Sequence, residues 1–459
     1  ADLYGIGRWD GDSLGNHRIV VHVDRPADAV LATLDWRRRD SDPDKKEILV
    51  IDASTGERVT NVARLSCTRE RGEIAFHPSS APGDYYIYYL RNHNTKSRWY
   101  PQATYYPYEE TADDAWIKRN RLNSAKTPKL PAASLVQYQS VDEFNSFYPM
   151  EVIATAAETE SIAASDPDAA YILFTEDRRY PIRMTSDLPY RWVADGAHDS
   201  FAGTADKSEY YCFQVGVWAV RSDVNSLSVN FGPLVNEKTG ESIPASAFTC
   251  FNTGGVDVTG TAFDKDCSVV KGKIQPLWIG TMVPEKLSAG VYKGSLEISS
   301  ANAGSKTVAV ALTVTDNVIA NHGDNEPWRH SRLRWLNSQI GFDDEVVAPY
   351  LPIRVDGRRL SILGRDVTLG ADGLPEQIDS YFEETMTKVG DAARKILASP
   401  MCVAADGGSW DNLSFGFTKR KAGAVAWNAT SQNDIFIMQV DGELEADGNI
   451  TYKVNLIAR

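Results

Sequence analysis

The feature that most constrains this chain is a succession of short β-branched and aromatic runs, each stopped by Gly, Pro, Asn, Asp or Ser. HRIVVHVD, AVLATLDW, EILVID, GDYYIYYL, YILF, YYCFQVGVWAV, SLSVNF, YKGSLEIS, KTVAVALTVT, NDIFIMQV and ITYKVNLIA follow one another from residue 17 to residue 458. Such residues suit the pleated, half-buried surface of a sheet, and the punctuation between them supplies the turns. Helical periodicity between the runs is weak, so antiparallel sandwiches are expected rather than βαβ units. The best helical segments are Thr111 to Ser124 and Glu383 to Ala398, and Gly390 weakens the second. No internal repeat of fixed period is evident.

At 459 residues the chain is too long for a single core. Two breaks divide it. NSAKTPKLPAAS (123–134) has the polar, proline-bearing character of a linker, and TDNVIANHGDNEPW (315–328) follows a strong strand and is rich in turn residues. The expectation is therefore a mainly β chain of three consecutive antiparallel β-sandwich-type domains with few short helices. The first spans 1–128, the second 129–318, and the last, 319–459, comprises a junction segment and a β-rich domain with a Gly-punctuated meander.

Several chemistries are disfavoured by what the chain carries. Forty-eight Lys and Arg against 62 Asp and Glu leave a formal charge of -14, which disfavours a nucleic-acid partner. No apolar run reaches the 18 or so residues of a membrane helix, and no signal peptide is present. The start on Ala1 fits a removed leader or a trimmed chain. Five cysteines form no CxxC pair, so zinc or thioredoxin-like chemistry is not expected; Cys212 and Cys402 read as buried thiols, and Cys250 and Cys267 could pair in an oxidising compartment. The histidines show no HExxH spacing, and there is no G-x-S-x-G elbow. GIGRWDG lacks the P-loop lysine and the dinucleotide pattern. DSDPDKKE (40–47) has the alternating acids of a calcium loop, but Lys45 stands where the glycine belongs and Ile51 where the last acid belongs, so it reads as a solvated hairpin tip. Neither metal nor cofactor is expected.

Eleven Trp and 20 Tyr suggest carbohydrate handling, because sugar rings stack their CH faces on flat aromatic side chains; sandwich cores also use these residues. RWYPQATYYPYEETADDAW (98–116) gathers Trp99, Tyr100, Tyr105, Tyr106 and Trp116. It reads first as an extended connection covering a sandwich, and second as a stacking platform for a glycan. EPWRHSRLRWLNSQIGFDDE (326–345) brings together Trp328, Arg329, Arg332, Arg334, Trp335, Asp343, Asp344 and Glu345. Adjacent acids on an extended chain point to opposite faces, and nearby arginines depress carboxylate pKa values, whereas a general acid needs the opposite shift. The stretch is assigned as an ion-paired, tryptophan-packed domain junction, with no catalytic residue.

SRLRWLNSQIGFDDEVVAPY, running on into LPIRVDGRRLSILGRDVTLGADGLPEQIDSYF, resembles the non-catalytic β-sandwich region of large bacterial glycoside hydrolase-like proteins of the Bacteroidetes type. These are related to glycoside hydrolase family 123, the β-N-acetylgalactosaminidases. QPLWIGTMVPEKLSAGVYKGSLEIS agrees, with Val283, Pro284, Gly290, Tyr292 and Gly294 at that group's last-hairpin positions. The resemblance covers about residues 200 to 390, and the first 130 residues carry none. It implies an Asp-Glu pair on a (β/α)8 barrel, but a barrel needs about 250 alternating residues. Those after Trp335 are fewer and read as β, so the catalytic roles are not carried onto Asp344 and Glu345. The expectation is an accessory portion of an exported protein, periplasmic or at the cell surface, with glycan or polysaccharide and its own C-terminal catalytic domain as partners. The alternatives are a stand-alone cell-surface glycan-binding or adhesion protein, and a glycosidase active within this chain.

Overall fold

A computed structural model describes residues 3–124, 126–257, 260–323 and 344–459. It is mainly β with few helices, as the punctuated runs require, and all eleven runs named above lie in strands. The described residues fall into two compact units, the first taking in residues 3–255 and 262–323 and the second residues 256–257, 260–261 and 344–459.

The first unit opens with a sandwich whose two sheets share one strand. Ala132–Ser140 pairs antiparallel with His17–Val23 through its C-terminal half and parallel with Val30–Leu34 through its N-terminal end. The register shifts between Leu135 and Gln137, so a bulge lets one strand serve both sheets. Side-chain alternation sets the core: Ile19, Val21 and Val23 point inward against Val30, Ala32, Leu34, Val50 and Ile87. The stretch 123–134 thus runs directly into a strand of the first sandwich. Trp116 belongs to the helix Asp114–Arg119, capped by the Asp113 carboxylate, inside the segment expected to be helical.

A second sandwich follows. One sheet runs Tyr171–Asp177, Tyr210–Ala219, Ile274–Met282, Phe248–Cys250; the other is centred on Ser200–Lys207, Gly304–Val318 and Gly290–Ser300. Tyr210–Ala219 is buried from Tyr211 onward on both faces, because helices Ala156–Ser165 and Tyr190–Asp195 cover the side away from the sandwich core. Trp192 of the second helix stacks on Phe174, 4.4 Å between ring centres. The hairpin glycines have physical reasons: Gly290 sits at φ 150, and a Cβ on Gly294 would collide with the Pro233 carbonyl. Cys250 and Cys267 are free thiols in this core, burial raising both pKa values, that of Cys267 to about 11.

The second unit is a five-stranded meander from Arg354 to Lys395 with a four-stranded meander from Asp411 to Ala458, sharing a core of Leu360, Val367, Leu369, Val425, Trp427 and Leu444. Here the helix expected over Glu383 to Ala398 is corrected. Val389–Lys395 is a strand whose Val389 and Lys395 pair with Phe382 and Asp379. The ladder to Pro375–Phe382 satisfies its backbone, overriding a weak local propensity already lowered by Gly390. Cys402, expected to be buried, is exposed.

Candidate functional site

The strand Val30–Leu34 runs into Trp36-Arg37-Arg38-Arg39-Asp40, whose three arginines go to three different carboxylates. Trp36 drops into the sandwich core and donates its indole N–H to the Thr68 carbonyl at 2.8 Å. Arg37 lies in the left-handed region at φ 44, which is uncommon for a side chain of this size. That turn aims its guanidinium across to the second sandwich. There it grips Glu158 through two bonds of 2.7 and 2.8 Å, donates to the Ile153 carbonyl at 3.3 Å and lies 3.9 Å over the Tyr190 ring. Glu158 is also the last member of a capping box with Thr155, and Arg37 holds its carboxyl down to about 2. Arg69 adds a second fork, two bonds of 2.8 Å to Asp187. Charge-assisted forks of this kind fix orientation as well as proximity.

Arg38 turns the other way. Its residue is 4% exposed, two bonds of 2.9 Å tie it to Asp40, and its guanidinium lies 4.6 Å from the Trp36 ring and 4.9 Å from the Tyr89 ring. Its Nη1 has no hydrogen-bond acceptor among the described residues. Asp40 also accepts from Lys46 at 2.6 Å. Burial pushes the Asp40 carboxyl up, but the two cations outweigh it and leave it below the usual range. The reading of 40–47 as a solvated tip is therefore corrected at Asp40 and Lys46: both are drawn inward by ion pairs that the sequence pattern does not reveal.

These residues wall a cavity of about 480 Å³. The facing wall is the loop 144–152, which carries Phe147, Tyr148 and Glu151. His17 forms part of the floor, 4.9 Å from Phe147 ring centre to ring centre, with its Nε2 2.8 Å from the Asn145 carbonyl. Burial lowers its pKa, so at pH 7 the ring is neutral and its Nε2–H donates to that carbonyl. Arg39 stands at the rim, 2.8 Å from Glu151, and Glu151 also faces Arg183 at 3.6 Å. Phe144 at the mouth is 95% exposed. A concave site of this size, with aromatic faces and a few fork-shaped donors, matches the form of small-ligand sites in general. Asp40 stays ionised between Arg38 and Lys46, so it holds the wall rather than donating a proton.

The aromatic segment divides. Tyr105 lines this pocket, with the Lys46 ammonium 4.5 Å over its ring. Trp99 (85% exposed) and Tyr100 lie between the paired strands Asn92–Asn94 and Ala103–Tyr105, and both rings are open to solvent. Tyr106 is half-buried, its ring 4.8 Å from His93 and 4.2 Å from the Arg91 guanidinium. Trp116 is a correction: it is 2% exposed in a small core and donates to the Asp28 carbonyl, so it presents no face to a ligand. Its amphipathic helix needed one large apolar side chain to dock on the sheet.

Of the junction residues, Trp328, Arg329, Arg332, Arg334, Trp335 and Asp343 lie outside the described residues. Asp344 and Glu345 line a smaller cavity of about 150 Å³ within the second unit, beside Tyr350, Glu445 and Asp447. Asp344 is bonded by Lys421 at 3.0 Å and Lys419 at 3.2 Å, which hold its carboxyl below the usual range and keep it ionised. Among the described residues no group of three or more His, Cys, Asp or Glu is arranged to hold a metal ion. Sequence reasoning missed the arginines that matter most here, Arg37, Arg38, Arg39 and Arg69. For the first three the signal was present as the uninterrupted WRRRD, which a strand end cannot leave simply solvated on both faces; Arg69 carried no such signal.

Comparison with known proteins supplies relatives for both ends of the chain. The model of the glycoside hydrolase 123 N-terminal domain matches residues 7–141, and that of the glycoside hydrolase 123 third domain matches residues 353–459. The first match corrects the view that the first 130 residues have no relative. The second overlaps the end of the 200–390 resemblance. No curated protein matches. Among solved structures, a family 123 glycoside hydrolase from Clostridium perfringens aligns over 32% of this chain at 18% identity and TM-score 0.26, and the match spans 28% of that hydrolase. A PapD-like domain of human CEP192 aligns at 16% identity over 27% of this chain and 83% of that domain, TM-score 0.19. The fimbrial major subunit MyfA of Yersinia enterocolitica aligns at 11% identity over 31% of this chain and 98% of the subunit, TM-score 0.18. The chain is a glycoside hydrolase 123-related protein, its first sandwich matching that family's N-terminal domain and its last β-rich unit the third domain.

Proposed function

We propose that this chain is the accessory β-sandwich portion of an exported glycoside hydrolase 123-related protein, which supports a catalytic domain lying outside these residues and itself binds glycan. The observation that carries the binding role is the cavity of about 480 Å³ between Trp36–Asp40 and the 144–152 loop. Its Tyr105 and Phe147 rings offer stacking faces, and Arg39 and Glu151 offer a donor and an acceptor to hydroxyls. The forks Arg37–Glu158 and Arg69–Asp187 support this reading, because they hold the two walls of the pocket in one orientation, as a pre-organised site needs. Isothermal titration and a glycan array on the purified chain test it. Binding that is lost in Tyr105→Ala, whose ring is 40% exposed, with melting unchanged, is the expected result. Absence of binding to every glycan would remove the binding role. Turnover of aryl N-acetylhexosaminides by this chain would overturn the accessory role.

A further inference from the structure

We infer that this pocket selects glycans bearing an anionic group, a carboxylate or a sulfate, and that Arg39 is the residue that reads it. The inference rests on the glycan-binding reading of the pocket and adds the charge of the ligand. Around the cavity, Arg38 and Lys46 share the single carboxylate of Asp40, and Arg39 and Arg183 share that of Glu151. Arg37 and Glu158 cancel one for one. Five cations in and behind the lining therefore meet the carboxylates of Asp40, Glu151 and Glu158 and that of Asp142, which faces His17, a local excess of one positive charge in a chain whose net charge is -14. Asp142 turns its carboxylate to the Asn145 amides.

Two of the three lining arginines divide the work. Arg38 is 4% exposed and forked onto Asp40, and its Nη1 lacks an acceptor among the described residues, so it is the buried, already paired cation of the wall. Arg39 is the group a ligand can touch. Its side chain is 54% exposed, Nη1 alone is bonded, and Nε and Nη2 make no hydrogen bond among the described residues. A guanidinium presenting two free N–H groups matches a planar carboxylate or two sulfate oxygens. Tyr105 and Phe147 would carry the sugar ring while Arg39 holds the charge.

Titration calorimetry with three probes tests this: a keratan sulfate tetrasaccharide, the same tetrasaccharide chemically desulfated, and a hyaluronan hexasaccharide carrying only carboxylates. An anionic probe is expected to bind about tenfold or more tighter than the desulfated one at low salt, the preference shrinking as salt rises. Whichever anionic probe shows it identifies sulfate or carboxylate as the group read. Arg39→Gln should erase the preference, lowering affinity for the anionic probe about tenfold or more and for the desulfated probe far less, since only a hydroxyl contact is lost there, and Arg39→Lys should restore part of it. Equal binding of neutral and anionic probes overturns the inference and leaves glycan binding standing. Failure of all three to bind, with the glycan array also blank, overturns both. A preference that survives in Arg39→Gln with an unchanged melting profile overturns the role of Arg39.

Discussion

Replacing Arg37 by alanine removes the main fork between the first two sandwiches, and the structure sets the scale of the loss. The guanidinium makes two bonds to Glu158 at 2.7 and 2.8 Å, one to the Ile153 carbonyl at 3.3 Å, and covers the Tyr190 ring. The Glu158 carboxyl moves from 4.5 to about 2, and Arg37 is the largest cause, ahead of its Thr155 contacts. At about 1.4 kcal/mol per pKa unit the whole shift is worth roughly 3 kcal/mol. Glu158 is 28% and Arg37 15% exposed at the side chain, so solvent screens part of this. A coupling of about 1.5 to 2 kcal/mol between Arg37 and Glu158 is expected, above a surface pair and below a fully buried one. The assay is a double-mutant cycle with Arg37→Ala and Glu158→Gln, read by denaturant unfolding of the first unit and by hydrogen exchange at Ile153 and Ala154. Because the folded-state pKa of Glu158 lies below its unfolded value, the contribution is complete above about pH 4.5 and is lost as pH falls towards 2. Coupling below about 0.5 kcal/mol at pH 7, or coupling undiminished in acid while the chain stays folded, would refute the reasoning.

Further outcomes follow from the same geometry. Trp116→Ala should destabilise the first sandwich by about 3 to 5 kcal/mol in a thermal or denaturant melt, since the ring fills a core, whereas Trp99→Ala, with an open ring, should change stability by less than about 0.5 kcal/mol. Gly294→Ala should cost roughly 2 kcal/mol or more, because the new methyl meets the Pro233 carbonyl rather than a flexible side chain; a neutral melt would show that the hairpin can yield. In thiol titration at pH 8, exposed Cys402 should react at once. Cys212, pushed up to about 12 by burial, and Cys250 and Cys267 should react only on unfolding.

What could be read directly was what depends on near neighbours in the chain. Alternating β-branched residues between turn formers declare strands because each strand must show one face to a core, and the mainly β multidomain fold follows from that. The helix around Trp116 was legible for the same reason, with Asp113 as its cap and one apolar face. The Glu383 to Ala398 stretch was not, because its helical tendency is slight and the neighbouring strand outweighs it. The linker-like composition of 123–134 likewise hid how closely it adjoins a strand whose partners lie about a hundred residues away at Ile19 and Leu31.

The pocket belongs entirely to the tertiary structure. Nothing local to WRRRD says that Arg37 will cross to Glu158, that Arg38 will be covered by Trp36 and Tyr89, or that Arg39 will meet Glu151. Ion pairs between residues more than a hundred positions apart carry no periodic signature; they form only after two sandwiches have docked. The sequence by itself determined that this chain would be a string of sandwiches rich in aromatic and arginine side chains. Folding decided which of those side chains became core, which became joint, and which were left facing a cavity, because burial and charge pairing are settled by three-dimensional neighbours.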